Sequence, residues 1–261
     1  VAVVVPFRNQ LPLQDRGAQL KRFLPHMEAF LTSIPHCKGR VIIVEQSDDG
    51  RKFNRGQLLN VGFRLALEAL PGLTSFITHD VDLLPSADMR PVYARSPPEG
   101  SAVHFASVWK KYTYGTFIGG VLAFGPRDFE RVNGYPNDYW GWGLEDDQLA
   151  LRMSHRSLRV LRVRTGSYND LDPMNMKGIL DRGQREEVKQ HLPWYNAEMF
   201  RKSKLHLDED WDANGLRDLT YALLDTKVDG IIQHSKVHLG PLPEGLAPAA
   251  GCSGVGPGRP G

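Results

Sequence analysis

Three short apolar runs, separated by segments of helical period, constrain this chain more than any other feature. "VAVVVPF" opens the sequence, "GRVIIVEQ" fills 39–46 and "TSFITHDVDLLP" fills 74–85. Pro6 ends the first run. Between the runs, Leu20, Phe23, Leu24, Met27, Phe30 and Leu31 recur at helical spacing, with Pro25 expected to bend or interrupt that helix. "RGQLLNVGFRLALEAL" (55–70) is a second helix, with Leu58, Gly62, Leu65 and Ala69 on one stripe. Strands alternating with helices predict an α/β fold around a mostly parallel central sheet.

Beyond residue 100 the pattern is less regular. "SAVHFAS" (101–107), "GGVLAFG" (119–125) and "LRVLRV" (158–163) read as strands; "PRDFERVNG" (126–134) and residues 145–155 read as helices. Residues 166–210 are polar with little periodicity, the mark of a long flexible loop with helical patches, and such loops often act as lids. "GLRDLTYALLDTK" (215–227) and "IIQHSKVHL" (231–239) close the fold. Residues 241–261 are Pro/Gly-rich and read as a disordered tail or linker. Net charge is +2 with both signs interspersed, so no basic stripe for nucleic acid is present. Cys37 and Cys252 are too few for a disulfide framework, though they could form one bridge in an oxidising compartment. No apolar run approaches the ~20 residues of a membrane span. The chain starts in mid-strand without methionine and reads as a piece of a longer product.

Two stretches carry chemistry. In "HDVDLLP", Asp80 and Asp82 sit at the C-terminal end of a strand, the edge where open α/β sheets bind ligands. On a strand, residues two apart face one side, so the two carboxylates repel unless a cation or donor lies between them. A hard divalent ion held by one carboxylate and a ligand's phosphates would serve. A lone D-x-D is more often an ordinary turn. In "DYWGWGLEDDQL" (138–149), glycine-jointed tryptophans offer flat faces to a sugar ring. Glu145, Asp146 and Asp147 begin a helix whose dipole favours ionised carboxylates, and an ionised carboxylate in a cleft can serve as general base. Arg8, Phe53 and Arg55 lie where a base or phosphate could be gripped, and Lys110 or Lys111 could reach a diphosphate. His234 and His238 share a strand face and read as surface residues.

"PFRNQ", "FNRGQLLNVGF", "HDVDLLP", "FIGGVLAFGPRDFERVNGYPNDYWGWGLEDDQL" and "GLRDLTYALLD" occur in that order. Together they resemble the catalytic domain of the β-1,4-galactosyltransferases over roughly residues 1–240. "FLPHM" and "HDVDLLP" are similar to the branch that galactosylates xylose on proteoglycan cores; "GLRDLTYALLD" is similar to the branch acting on N-acetylglucosamine. The resemblance implies a GT-A-like nucleotide-sugar-binding fold, UDP-galactose as donor, and manganese; all-oxygen ligation by aspartates would suit magnesium as well. The resemblance also implies a saccharide acceptor on a glycoprotein or proteoglycan, and residence in the Golgi lumen behind a membrane anchor outside this fragment. By the same resemblance, Pro6, Phe7, Arg8, Phe53, Arg55, Asp80, Val81, Phe117 and Trp142 bind the donor, and Asp82 binds the metal. Trp142, Gly143, Glu145, Asp146 and Asp147 bind the acceptor, with Asp146 as base and Glu145 beside it.

Two departures stand out. The family's further metal ligands usually include a histidine, yet "RTGSYNDLDPMNMKG" (164–178) has none; Asp170 and Asp172 are the nearest substitutes, with Met174 and Met176 behind them. Phe117 stands where galactose-specific members carry tyrosine. Transfer of N-acetylgalactosamine, or an inactive binder of sugar or nucleotide, are the competing readings.

Overall fold

A computed structural model describes residues 1–9, 15–111, 115–141, 143–172, 200–201, 204 and 209–240. Its framework is an eight-stranded sheet. In chain order the strands are β1 (Ala2–Phe7), β2 (Arg40–Gln46), β3 (Phe76–His79), β5 (Ser101–His104), β6 (Val121–Phe124), β7 (Arg159–Arg162), β9 (Tyr221–Asp229) and β10 (Ile232–Leu239). Their spatial order is β7-β5-β6-β3-β1-β2-β10-β9. The centre, β3-β1-β2-β10, is parallel. β6 runs against both its neighbours, and β9 closes the far edge as an antiparallel hairpin with β10. Two short strands, β4 (Leu83–Pro85) and β8 (Tyr168–Asp170), form a separate pair.

Both faces of the sheet are covered, which is why its central strands are apolar without alternation. Val3, Val5, Val41 and Ile43 pack towards helix α1 (Arg16–Thr32); Ala2, Val4, Ile42 and Val44 pack towards helix α2 (Arg55–Ala69). α1 begins where Asp15 accepts a bond from the Ala18 amide. It runs unbroken through Pro25, contrary to the interruption expected from sequence. Pro25 and Lys21, whose carbonyl loses its helical donor, are both exposed, while Phe23, Met27 and Phe30 anchor the inner face. Water can therefore satisfy the carbonyl that a proline leaves free. α2 begins where Asn54 accepts from the Gln57 amide. Gly62 lets it lie close on the sheet: a Cβ there would fall 2.1 Å from Val4 Cγ1.

The shorter helices are α3 (Arg90–Tyr93), α4 (Pro126–Arg131), α5 (Glu145–His155) and α6 (Glu209–Asp212). α5 has the limits expected from sequence. The 101–107 strand is shorter than expected: after His104 the chain turns into a 3-10 turn at Phe105–Val108. The 74–85 strand is divided, with β3 ending at His79 and β4 starting at Leu83. Part of the expected 166–210 loop is strand, since β8 pairs with β4. The rest of that loop, residues 173–199, and the 241–261 tail with Cys252 lie outside the described residues.

Candidate active site

β1 and β3 end at one edge of the sheet, and α2 and α5 begin there. β1 delivers Pro6, Phe7 and Arg8; β3 delivers Asp80, Val81 and Asp82; α2 starts with Arg55; α5 starts with Glu145. The centre of the group is Arg55. Its Nε donates to Asp80 Oδ1 at 2.9 Å and its Nη1 donates to Asp146 Oδ1 at 3.0 Å. The Glu145 carboxylate lies 3.6 Å from the same Nη1. Tyr135 adds a hydroxyl bond to Asp146 Oδ1 at 3.2 Å, and the guanidinium sits over its ring. Arg55 Nη2 is buried with no hydrogen-bond partner among the described residues. Carboxylates more than sixty residues apart thus meet on one cation.

That cation does not neutralise them all. Burial, then the Asp146 charge, raises the Glu145 carboxyl against the pull of Arg55, to about 7. Burial likewise raises Asp80, with Asp82 and Asp146 adding to the rise. Asp147, half-buried, is raised by burial and by Asp146. Leu144, before the helix, holds a left-handed φ of 72° with no side-chain cap, which leaves the first-turn amides to the acids and to any ligand.

Asp80 and Asp82 do not share a strand face, because β3 ends at His79 and both lie in the turn beyond it. Each has its own arginine. Arg16 donates to Asp82 Oδ2 at 2.7 Å, while Asp82 Oδ1 is buried with no hydrogen-bond partner among the described residues. Arg16 also feels the charges of Asp80 and Asp172. Asp170 and Asp172 are engaged by Lys111, whose Nζ lies 3.1 Å and 3.9 Å from their carboxylates. Trp109 Nε1 donates to Asp170 as well. Lys111 is therefore occupied by these carboxylates. No group of three or more His, Cys, Asp or Glu side chains forms a cation site among the described residues. Met174 and Met176 lie outside them.

Of the residues expected to bind the donor, Phe7 and Val81 are buried, and the Arg8 guanidinium lies over the Phe53 ring, 5.8 Å from its centroid. Arg8 also donates to the Arg51 carbonyl, and Arg51 stacks over Trp140 at 4.8 Å. Arg55, expected beside Phe53 in a nucleotide pocket, instead turns its guanidinium to the carboxylates. Phe117 lies against Gly119, which backs Asp146: a Cβ on Gly119 would fall 2.5 Å from Asp146 Oδ2 and 2.8 Å from the Phe117 ring. Gly143 has φ +103°, and a methyl group there would meet no atom within 4 Å, so that point of the loop faces open space. Trp142 lies outside the described residues. His234 and His238 sit apart from this group, on Glu45 and Ser47.

Arg16 and Tyr135 were not singled out from sequence. Both sit in unremarkable contexts, and only tertiary structure brings them to the acids.

The chain is similar to known proteins over most of its length. The family described as the N-terminal region of glycosyl transferase group 7 matches residues 1–94, and the N-terminal domain of galactosyltransferase matches residues 100–174. β-1,4-Galactosyltransferase 7 of Drosophila melanogaster is 37% identical over 174 residues, covering 64% of this chain and 49% of that protein. Human β-1,4-galactosyltransferase 4 is 34% identical over 230 residues, covering 87% of this chain and 60% of that protein. The xylosylprotein 4-β-galactosyltransferase of Caenorhabditis elegans is 38% identical over 165 residues, covering 62% and 53%. The chain thus spans about half to three-fifths of these curated relatives. The solved catalytic domain of the Drosophila β-1,4-galactosyltransferase 7 in complex with xylobiose superposes with a TM-score of 0.71 at 29% identity, covering 91% of this chain and 93% of that one. A mutant of that enzyme in complex with manganese, UDP-Gal and xylobiose gives the same values. The GT-A-like α/β fold expected from sequence is the fold observed.

Proposed function

The chain belongs to the β-1,4-galactosyltransferase family, and within it we propose a metal-dependent, inverting transfer of galactose from UDP-galactose to the 4-hydroxyl of a β-xylose acceptor. The observation that carries the reading is the convergence of Asp80, Glu145 and Asp146 on Arg55, beside Asp82. The xylose acceptor is favoured because one relative at 38% identity is a xylosylprotein transferase and another at 37% has a catalytic domain solved with xylobiose. N-Acetylglucosamine is the second reading, favoured by the likeness of "GLRDLTYALLD" to the branch acting on that sugar.

In this mechanism Asp146 takes the proton from the acceptor hydroxyl as its oxygen bonds to galactose C1. The C1–O bond to UDP breaks on the opposite face, so the α donor gives a β product and no covalent enzyme intermediate is needed. Arg55 and Tyr135 hold the Asp146 carboxylate in place through its Oδ1. Glu145 and Asp147 orient the acceptor beside Gly143, and Trp142 keeps the donor- and acceptor-side role that the family resemblance implies. Phe7, Arg8, Phe53 and Val81 form the nucleotide side, Pro6 fixes the end of β1, and Phe117 fills the place beside the sugar.

The residues present fit a divalent ion at Asp82. One buried carboxylate oxygen has no partner, and the other already accepts a cationic group, Arg16. Such an ion, manganese or magnesium, would complete its shell with diphosphate oxygens and supply charge neutralisation of the leaving group. Asp170 and Asp172 are the next carboxylates in reach once Lys111 releases them. We assign the catalytic unit to residues 1–240 and the working compartment to the Golgi lumen; a chain ending at Gly240 should keep full transfer.

The test is a panel of β-xylosides and β-N-acetylglucosaminides with UDP-galactose or UDP-N-acetylgalactosamine, with and without manganese. Turnover is expected with UDP-galactose and the xyloside, and only with the metal. Nucleotide binding without turnover in every combination would replace this reading with that of an inactive binder.

A further inference from the structure

The segment that backs Asp146 has its own support, built from two residues that the transfer chemistry does not otherwise use. His104, at the end of β5, and Arg162, at the end of β7, are register partners in adjacent parallel strands. Arg162 Nη1 lies 2.9 Å from His104 Nδ1. A guanidinium only donates, so Nδ1 accepts, and the ring proton sits on Nε2. Nε2–H then donates to the Gly119 carbonyl at 2.9 Å. The imidazole is buried, and burial pushes it down to about 4, in keeping with a neutral ring of one fixed tautomer. Arg162 donates twice more, to the Phe117 carbonyl at 2.9 Å and the Gly115 carbonyl at 2.6 Å. Alternate carbonyls of residues 115–119 are therefore all held by this pair. The Phe117 ring also meets the His104 ring edge-on, with centroids 5.6 Å apart.

What the segment touches gives the support its purpose. Gly119 lies so close to Asp146 Oδ2 that no Cβ would fit between them, and the Phe117 ring closes the same gap. Arg55 and Tyr135 hold the carboxylate through Oδ1, and the segment limits it on the Oδ2 side. We propose that His104 and Arg162 are positioning residues: by fixing the 115–119 backbone they set where the Asp146 carboxylate stands. The proposal rests on the reading of Asp146 as the base. A misplacement of about 1 Å at a reacting group can cost ~100-fold in rate, so a loosened segment acts on kcat more than on binding.

The experiment uses the full chain and its Arg162→Ala, Arg162→Lys, His104→Gln and Asp146→Asn variants. UDP affinity is measured by calorimetry, and kcat and acceptor KM are scaled to the UDP-binding fraction. Arg162→Ala and His104→Gln are expected to lower kcat ~10- to 100-fold per binding-competent molecule, with UDP affinity and acceptor KM within about twofold. Arg162→Lys, which keeps one cationic donor, should recover part of the Arg162→Ala loss. A merely structural role would reduce the binding-competent fraction and leave the scaled kcat unchanged, and that result overturns the proposal. Asp146→Asn separates the two readings: if it still turns over, the base assignment fails independently of this pair. A crystal structure of Arg162→Ala decides without any rate. Residues 115–119 should move away from Asp146, and an unmoved segment overturns the proposal.

Discussion

Replacing Arg55 with methionine keeps most of its length and removes its charge. In the native chain its guanidinium makes two charge-assisted bonds, to Asp80 and Asp146, and lies 3.6 Å from Glu145. The Arg55 side chain is only 12% exposed, so water cannot take over its role. Charge-assisted bonds contribute about 1.5–3 kcal/mol each, and removing one partner of a buried pair costs about 3–5 kcal/mol through the charges left behind. The loss at pH 8 should therefore be about 3–5 kcal/mol. Its pH dependence has a definite sign. Removing the cation raises the folded-state carboxyls of Glu145 and Asp80 further above their unfolded values. Stability is then fully present below the unfolded values and is lost as pH rises through the folded ones. Glu145 and Asp80 already stand high, so the variant should recover a large part of the deficit between pH 8 and pH 5 by taking up protons. Urea unfolding of both proteins at several pH values measures this. A loss below about 1 kcal/mol at pH 8, or one equal at both ends, would refute the idea that Arg55 holds these acids together.

Gly62→Ala places a methyl group 2.1 Å from Val4 Cγ1, so α2 must lift from the sheet; overpacking of this kind costs about 1–3 kcal/mol, read as a lower urea midpoint. Glu145→Gln copies the protonated side chain. Because the native carboxyl is raised to about 7, its protonated form favours folding fully below the ordinary value of 4.5, and that contribution is lost as pH approaches 7. The variant should thus match the native chain near pH 4.5 and be about 1–3 kcal/mol more stable at pH 8, again by urea unfolding. Asp82→Asn should raise the manganese concentration for half-maximal transfer at least ~10-fold, and an unchanged metal titration would remove Asp82 from the metal site.

Much of the framework was legible because periodicity reports burial directly. The run Ala2–Val5 is apolar at every position because helices cover both faces, and α5 announced itself by acids followed by Leu149 and Met153. Strand direction was not legible: Val121–Phe124 is equally apolar whether it runs with its neighbours or against them. Nor was the break between β3 and β4, since "HDVDLLP" looks continuous until Leu83–Pro85 pairs elsewhere. In the site, residue types that hold charge were readable, but their partners were not. Arg55 looked like a ligand for a nucleotide because nothing local reveals three carboxylates approaching from other elements. Arg16, His104 and Arg162 gave no signal, since each acts through a neighbour distant in sequence.

The central claim is that Asp146, fixed by Arg55 and Tyr135, removes the acceptor's proton. Its most direct test is the kcat of Asp146→Asn for galactose transfer to a β-xyloside, with UDP affinity measured on the same sample. A loss of ~10²- to 10⁴-fold in kcat with unchanged UDP affinity is the expected result. Transfer at close to the native rate by the asparagine variant would contradict the account.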